Sequence, residues 1–170
     1  MSSAVMRISD ALLAELNQEA IATRKTLERI PDDKWDWRPH EKSMPLGLLA
    51  SHVAELAKWG PMTLQTEELS FNTGEYKPWI AKDHNELVAK FDEGLAEFKR
   101  ALQDCPDEAM GVPWKFIMDG QLVFELPRAA VLRSMVFNHL VHHRAQLGVY
   151  LRLLDVPVPS AYGPSADEAN

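Results

Sequence analysis

Apolar residues recur along this chain at helical spacing in four separate runs. The first covers residues 9–30, where Leu12, Leu13, Leu16, Ala20, Leu27 and Ile30 share one face. Ser9 or Asp10 is the expected cap, and Pro31-Asp32-Asp33 stops the run. The second covers residues 44–69, with Ser43 as the expected N-cap and Pro45 in the first turn, where a missing N–H does little harm. Gly60-Pro61 predicts a kink or break within it. The third covers residues 83–104, burying Leu87, Phe91, Leu95, Phe98 and Leu102, with Asp83 and Glu86 in a capping-box pattern. The fourth covers residues 127–154 and is opened by Pro127.

Between the third and fourth runs, two apolar stretches flank Asp119-Gly120, which is a hairpin signal with a two-residue turn. A lone hairpin is marginal in water, so this one is expected to pack on the helices. Four amphipathic helices and one hairpin define an all-α fold, a four-helix bundle with a small β-hairpin between helices three and four. The expected domain is residues 1–156. Residues 157–170, rich in proline and polar groups, form a C-terminal tail draped on the surface.

The composition narrows the function. The chain has 170 residues, with 18 Lys and Arg against 25 Asp and Glu, a net charge of −7. An acidic chain is a poor binder of phosphate backbones, so no nucleic-acid partner is expected. No stretch approaches the ~18 apolar residues a membrane helix needs. Met1–Arg7 carries no secretory pattern, and the lone Cys105 forms no internal disulfide, so a cytoplasmic location is expected. One cysteine also excludes cysteine-rich zinc modules.

The six histidines hold the chemical interest. His139 and His143 stand four apart on the apolar face of the fourth run, the spacing of two-histidine helical metal sites. A third ligand must come from another helix. His52 lies inside the apolar stripe of the second run, with Leu48, Leu49, Leu56 and Trp59 within about 60° of it. A single histidine on an apolar face is ordinarily a hydrogen-bonded core residue. Three on two inner faces would be costly to bury unsatisfied, and a divalent cation would satisfy them together. His142, about 60° from His139 and about 100° from His143, competes for the role from the edge of the stripe. His40 and His84 fall in polar surroundings. Leu140 follows His139, so the H-E-x-x-H motif and its built-in base are absent. Glu55 is the nearest base candidate, with a solvated edge position as its alternative. Three imidazoles suit zinc, nickel, copper or iron.

The segments Trp35-Asp36-Trp37-Arg38-Pro39-His40, Leu49-Ala50-Ser51-His52 and Asn138-His139-Leu140-Val141-His142-His143-Arg144-Ala145-Gln146-Leu147 resemble the DinB/YfiT-like superfamily of metalloenzymes over nearly the whole chain. Ala145 replaces the glycine common after the arginine. The resemblance implies an up-down-down-up bundle and a divalent metal, nickel or zinc, held by His52, His139 and His143. It also implies a low-molecular-weight thiol as cosubstrate, since characterised relatives are thiol-dependent transferases and isomerases, and frequent homodimers. The expected activity is therefore a thiol S-transferase acting on a small molecule. A metal-dependent hydrolase and a non-catalytic metal-binding bundle are the alternatives. Gln146, Trp59 and Tyr150 are the expected substrate-binding residues. Arg144 points away from the ligand face and is expected to pair with an acid on a neighbouring helix.

Overall fold

The computed structural model describes residues 6–168. Four helical runs and a three-stranded sheet make up the described chain. The first run is α1, Ile8–Glu28. The second is α2, Leu46–Glu55, continued through a 3₁₀ turn at Leu56–Lys58 into α3, Trp59–Gln65. The third is α4, His84–Gln103. A short α5, Asp107–Met110, leads into strands β2, Pro113–Met118, and β3, Gln121–Pro127. The last run begins as α6, Arg128–Val131, widens into a π-turn over Leu132–Asn138, and ends as α7, His139–Leu153.

The sequence places most of these boundaries; the exceptions are caps, where Pro45 rather than Ser43 precedes α2, and the end of the second run. Asp83 does cap α4, accepting from the Glu86 N–H at 2.9 Å. Neither Ser9 nor Asp10 caps α1; the N-cap is Arg7, and the Ser9 hydroxyl is buried without a partner. Gly60-Pro61 does mark an interruption of the second run: α2 ends at Glu55, the 3₁₀ turn follows, and Pro61 falls in the first turn of α3, where its missing N–H costs no helical bond. The second run stops at Gln65, short of the expected Leu69. Thr66 turns extended, and Glu68–Phe71 forms strand β1.

The hairpin is thus part of a larger sheet. β2 pairs antiparallel with β3 and parallel with β1, in the order β1-β2-β3. Asp119 and Gly120 both have positive φ, 49° and 75°, as a two-residue hairpin turn requires. Three bonds pin the helix-to-strand change at Thr66. Its hydroxyl donates to the Met62 carbonyl and accepts from the Trp114 indole, and its carbonyl accepts from Arg128.

α1 packs against α4 and α7, and α2 packs against the same two helices. One core cluster gathers Leu27, Leu49, Phe91 and Leu147; a second, toward the sheet, gathers Leu16, Phe98, Leu132 and Phe137. α3 and α4 approach closely enough that a Cβ on Gly60 would run into the Phe98 ring. Phe98 is fully buried and cannot swing away, so Gly60→Ala is expected to cost about 1–3 kcal/mol by overpacking. A urea titration checks this: the midpoint falls while the slope is unchanged.

The Trp35–Trp37 segment braces α2 from outside. The Trp37 and Trp35 carbonyls accept from the first two amides of α2, and the Trp35 ring lies over Gly47. The tail is held at several points. Arg29 donates to the Pro157 carbonyl, and Arg152 pairs with Asp167 at 2.5 Å.

Candidate metal centre

Helix α2 carries His52, and α7 carries His139 and His143. Because α2 and α7 pack on each other, one turn of α7 faces His52 across their interface. The His52 and His139 Nε2 atoms are 3.2 Å apart, and the three ring centroids lie 4.7–4.9 Å from one another. One ring nitrogen from each residue falls within 4.8 Å of the others, so the group can hold a metal ion.

The outer nitrogens of two of them are engaged elsewhere. His143 Nδ1 lies 2.7 Å from the Gln146 side-chain oxygen, and His139 Nδ1 lies 3.3 Å from the Met135 carbonyl. Both partners only accept, so each Nδ1 carries the proton and each Nε2 turns an unprotonated lone pair inward. Carbonyl partners behind the rings are the usual support of metal-ligating histidines.

The protonation equilibria favour the same state. Burial, then the neighbouring imidazoles, lowers His52 to about 4. Burial also lowers His139, with His143 adding to it, and lowers His143 against the raising effect of Gln146. All three rings are therefore neutral at pH 7, the form that ligates.

Of the remaining histidines, His142 is exposed, with its ring edge-on to His143 at 4.8 Å. His40 accepts from the Lys42 amide in a turn, and His84 bonds Asp32 at 2.8 Å. None joins the three-histidine group.

The expected substrate-binding residues part company. Gln146 supports His143, as its position three residues on allows. Trp59 lines a cleft of about 460 Å³ beside α3. Tyr150 sits in the core, its ring edge-on to Trp37 at 5.5 Å and its hydroxyl donating to the Met44 carbonyl at 3.2 Å. Arg144 faces away from the histidines and meets Glu19 of α1 at 2.7 Å, both side chains buried.

A second cleft, of about 270 Å³, reaches His52 itself. Glu55, one turn along α2, lines both clefts, and burial pushes its carboxyl above the usual range against the pull of Lys58 and Lys90.

The model of the DinB family matches residues 1–170. The chain belongs to the DinB family. It is 26% identical to the uncharacterized protein YrdA of Bacillus subtilis (strain 168) over 160 residues, 94% of this chain and 90% of that one. Two DinB-family folds superpose on it. A DinB-like protein from Bacillus cereus ATCC 10987 gives a TM-score of 0.69 at 21% identity, covering 90% of this chain and 97% of that one. A member from Exiguobacterium sibiricum 255-15 gives 0.61 at 22% identity, covering 97% and 100%.

Within this DinB chain, sequence reasoning missed two parts of the site. The π-turn immediately before His139 left no mark in the hydrophobic pattern, although such turns gather at functional sites. β1, whose Leu69 and Phe71 line the cleft beside α3, was hidden because its first two residues read as the end of a helix. Gln146→Ala, which removes the acceptor behind His143, is expected to weaken metal binding by about 10–100-fold. Competition against a chromophoric chelator measures it.

Proposed function

We propose that this chain is a divalent-metal-dependent enzyme that attaches a low-molecular-weight thiol to a small electrophile. The observation that carries the reading is the inward convergence of the His52, His139 and His143 ring nitrogens, with Nδ1 of two of them held from behind. The donor set fits zinc or nickel, since borderline-soft divalent ions favour imidazole. A divalent ion on three neutral imidazoles keeps its charge and an open position, where it lowers the pKa of a thiol or of water.

The chain's own residues do the rest. Met44, Leu48 and Trp79 give the cleft at His52 an apolar wall. Glu55 holds a proton more tightly than an exposed carboxylate would, so its Oε atoms can take up or return one beside the ligands. Glu55 also favours a second reading, a metal-dependent hydrolase with this carboxyl as general base. The single cysteine, Cys105, is buried in the second core cluster, so a reacting thiol arrives from solution.

The experiment is a titration of the nickel- or cobalt-loaded protein with bacillithiol, mycothiol and glutathione, followed by assay on a chromogenic electrophile. A thiolate-to-metal absorption band and thiol-dependent turnover are expected. Ester hydrolysis that needs metal but no thiol would replace the transferase with the hydrolase.

The same reading includes an up-down-down-up bundle over residues 1–156 with residues 157–170 as its tail. Its support is that α1 and α2 each pack on α4 and α7. It also includes a homodimer in the cytoplasm with no nucleic-acid partner. A net charge of −7 supports the last point, and among the described residues no helix is long and apolar enough to cross a membrane.

A further inference from the structure

The cleft beside α3 is walled differently from the one at His52. Its sides are aromatic and come from three elements. α3 gives Trp59 and Met62, β1 gives Leu69 and Phe71, and β2 gives Phe116. Leu69 and Phe71 alternate along β1, so both turn to the same side, and the β1–β2 register sets Leu69 against Phe116. Trp59 and Phe116 stand 6.0 Å apart, and Phe71 and Tyr76 4.8 Å apart, all four lining the space. At about 460 Å³ it has the size of a small-molecule site.

Two residues belong to this chamber and to the cleft at His52 alike: Glu55 and Tyr76. The chamber and the histidine cluster are therefore neighbours across one carboxyl and one phenol. Glu55 and Lys58 supply the charged groups of the lining. Because Glu55 and Lys58 are of opposite sign, a ligand charge of either sign meets one group of its own sign and would also have to be desolvated. A flat ring gains offset or edge contacts with several aromatic neighbours. A single hydroxyl or amide on that ring would find Glu55 as its hydrogen-bond partner.

From this the geometry points to a binding site, between α3 and the β1–β2 edge, for an uncharged aromatic molecule whose far end reaches His52 past Glu55. This rests on the proposed function in one respect: it makes that molecule the electrophile. The binding itself needs no metal.

The test uses the full chain, metal-free and zinc-loaded, with the uncharged naphthalene fluorophore prodan as probe. Saturable binding is expected in both forms, with displacement by 2-naphthol but not by 1-octanol. Leu69→Trp, which fills the chamber, is expected to weaken binding at least about tenfold. Val123→Trp, on an exposed position of β3, is expected to leave it unchanged. Phe71→Leu serves as a second variant that adds no bulk, and it is expected to weaken binding less than Leu69→Trp. Circular dichroism and zinc content check that each variant is folded with its histidine cluster intact.

Equal probe affinity in wild type, Leu69→Trp and Phe71→Leu would overturn the assignment, as would displacement by octanol as readily as by naphthol. Failure of the metalloenzyme reading looks different: the protein would take up no stoichiometric zinc, while probe binding and its loss in Leu69→Trp persist.

Discussion

His52→Ala and His143→Ala are each expected to abolish stoichiometric metal binding and every metal-dependent turnover while leaving the fold intact. The three rings meet at one point from two helices, and removing either residue leaves two donors where three converge. The fold survives because the imidazoles contribute little to it. His52 and His143 are only partly buried, neither belongs to a core cluster, and their rings stand edge-on to each other at 4.8 Å. Elemental analysis after dialysis against zinc reads the loss, and a thermal melt reads the retained fold. His142→Ala is the control, expected to keep full metal content, since its ring lies outside the group. Full metal content in His143→Ala with loss in His142→Ala would reassign the ligands.

Arg144→Met is expected to produce the largest loss of stability. The Arg144 and Glu19 side chains are 5% and 9% exposed and meet at 2.7 Å. Arg144 also donates to the Glu19 backbone carbonyl and the Thr23 hydroxyl, and Tyr162 closes the network by accepting from Arg144 and donating to Glu19. Truncating the arginine leaves a buried carboxylate with only Tyr162, which costs about 3–5 kcal/mol. In a chain of this size that lowers Tm by about 10 °C or more. The double variant Glu19→Leu, Arg144→Met is expected to recover most of the loss, because it removes the orphaned charge as well as the bond. Differential scanning calorimetry of the three proteins checks both halves. If the double variant melts no higher than Arg144→Met, a cause other than an uncompensated buried charge is responsible.

Residues 139–147 were legible in the sequence because helical spacing alone separates their faces. His139 and His143 fall on one side, Arg144 on another, and the partner of Arg144 proves to be an acid of α1. His52 was legible for the same reason. The end of the second helical run was not. Thr63 and Thr66 keep helical spacing, and only long-range bonds from Trp114 and Arg128 reveal that Thr66 is where the helix ends. β1 exists through its pairing with β2, 47 residues later at each register position, a contact no local pattern encodes. Tyr150 illustrates the opposite limit. Its spacing puts it on the ligand face, but one face can serve both a site and a core, and Trp37 and the Met44 carbonyl occupy its ring and hydroxyl.

The π-turn at Leu132–Asn138 has a bearing on the last helical run as a whole. Within it, Leu132, Val136 and Phe137 belong to the core toward the sheet; beyond it, Leu140, Leu147 and Tyr150 belong to the core shared with α2. The two halves of one rod thus answer to different neighbours, and the wide turn sets the angle between them. Each residue of an α-helix advances the azimuth by about 100°. A π-turn, with its i→i+5 bonds, advances each residue by less than that, so it absorbs about one residue more than a regular helix does over the same arc. Wound as a regular helix, the same residues would swing His139 and His143 together through about a quarter-turn or more, away from His52. The spare residue is an angular offset written into the chain length, and the count of residues between Leu132 and His139 matters to the site as much as their identity.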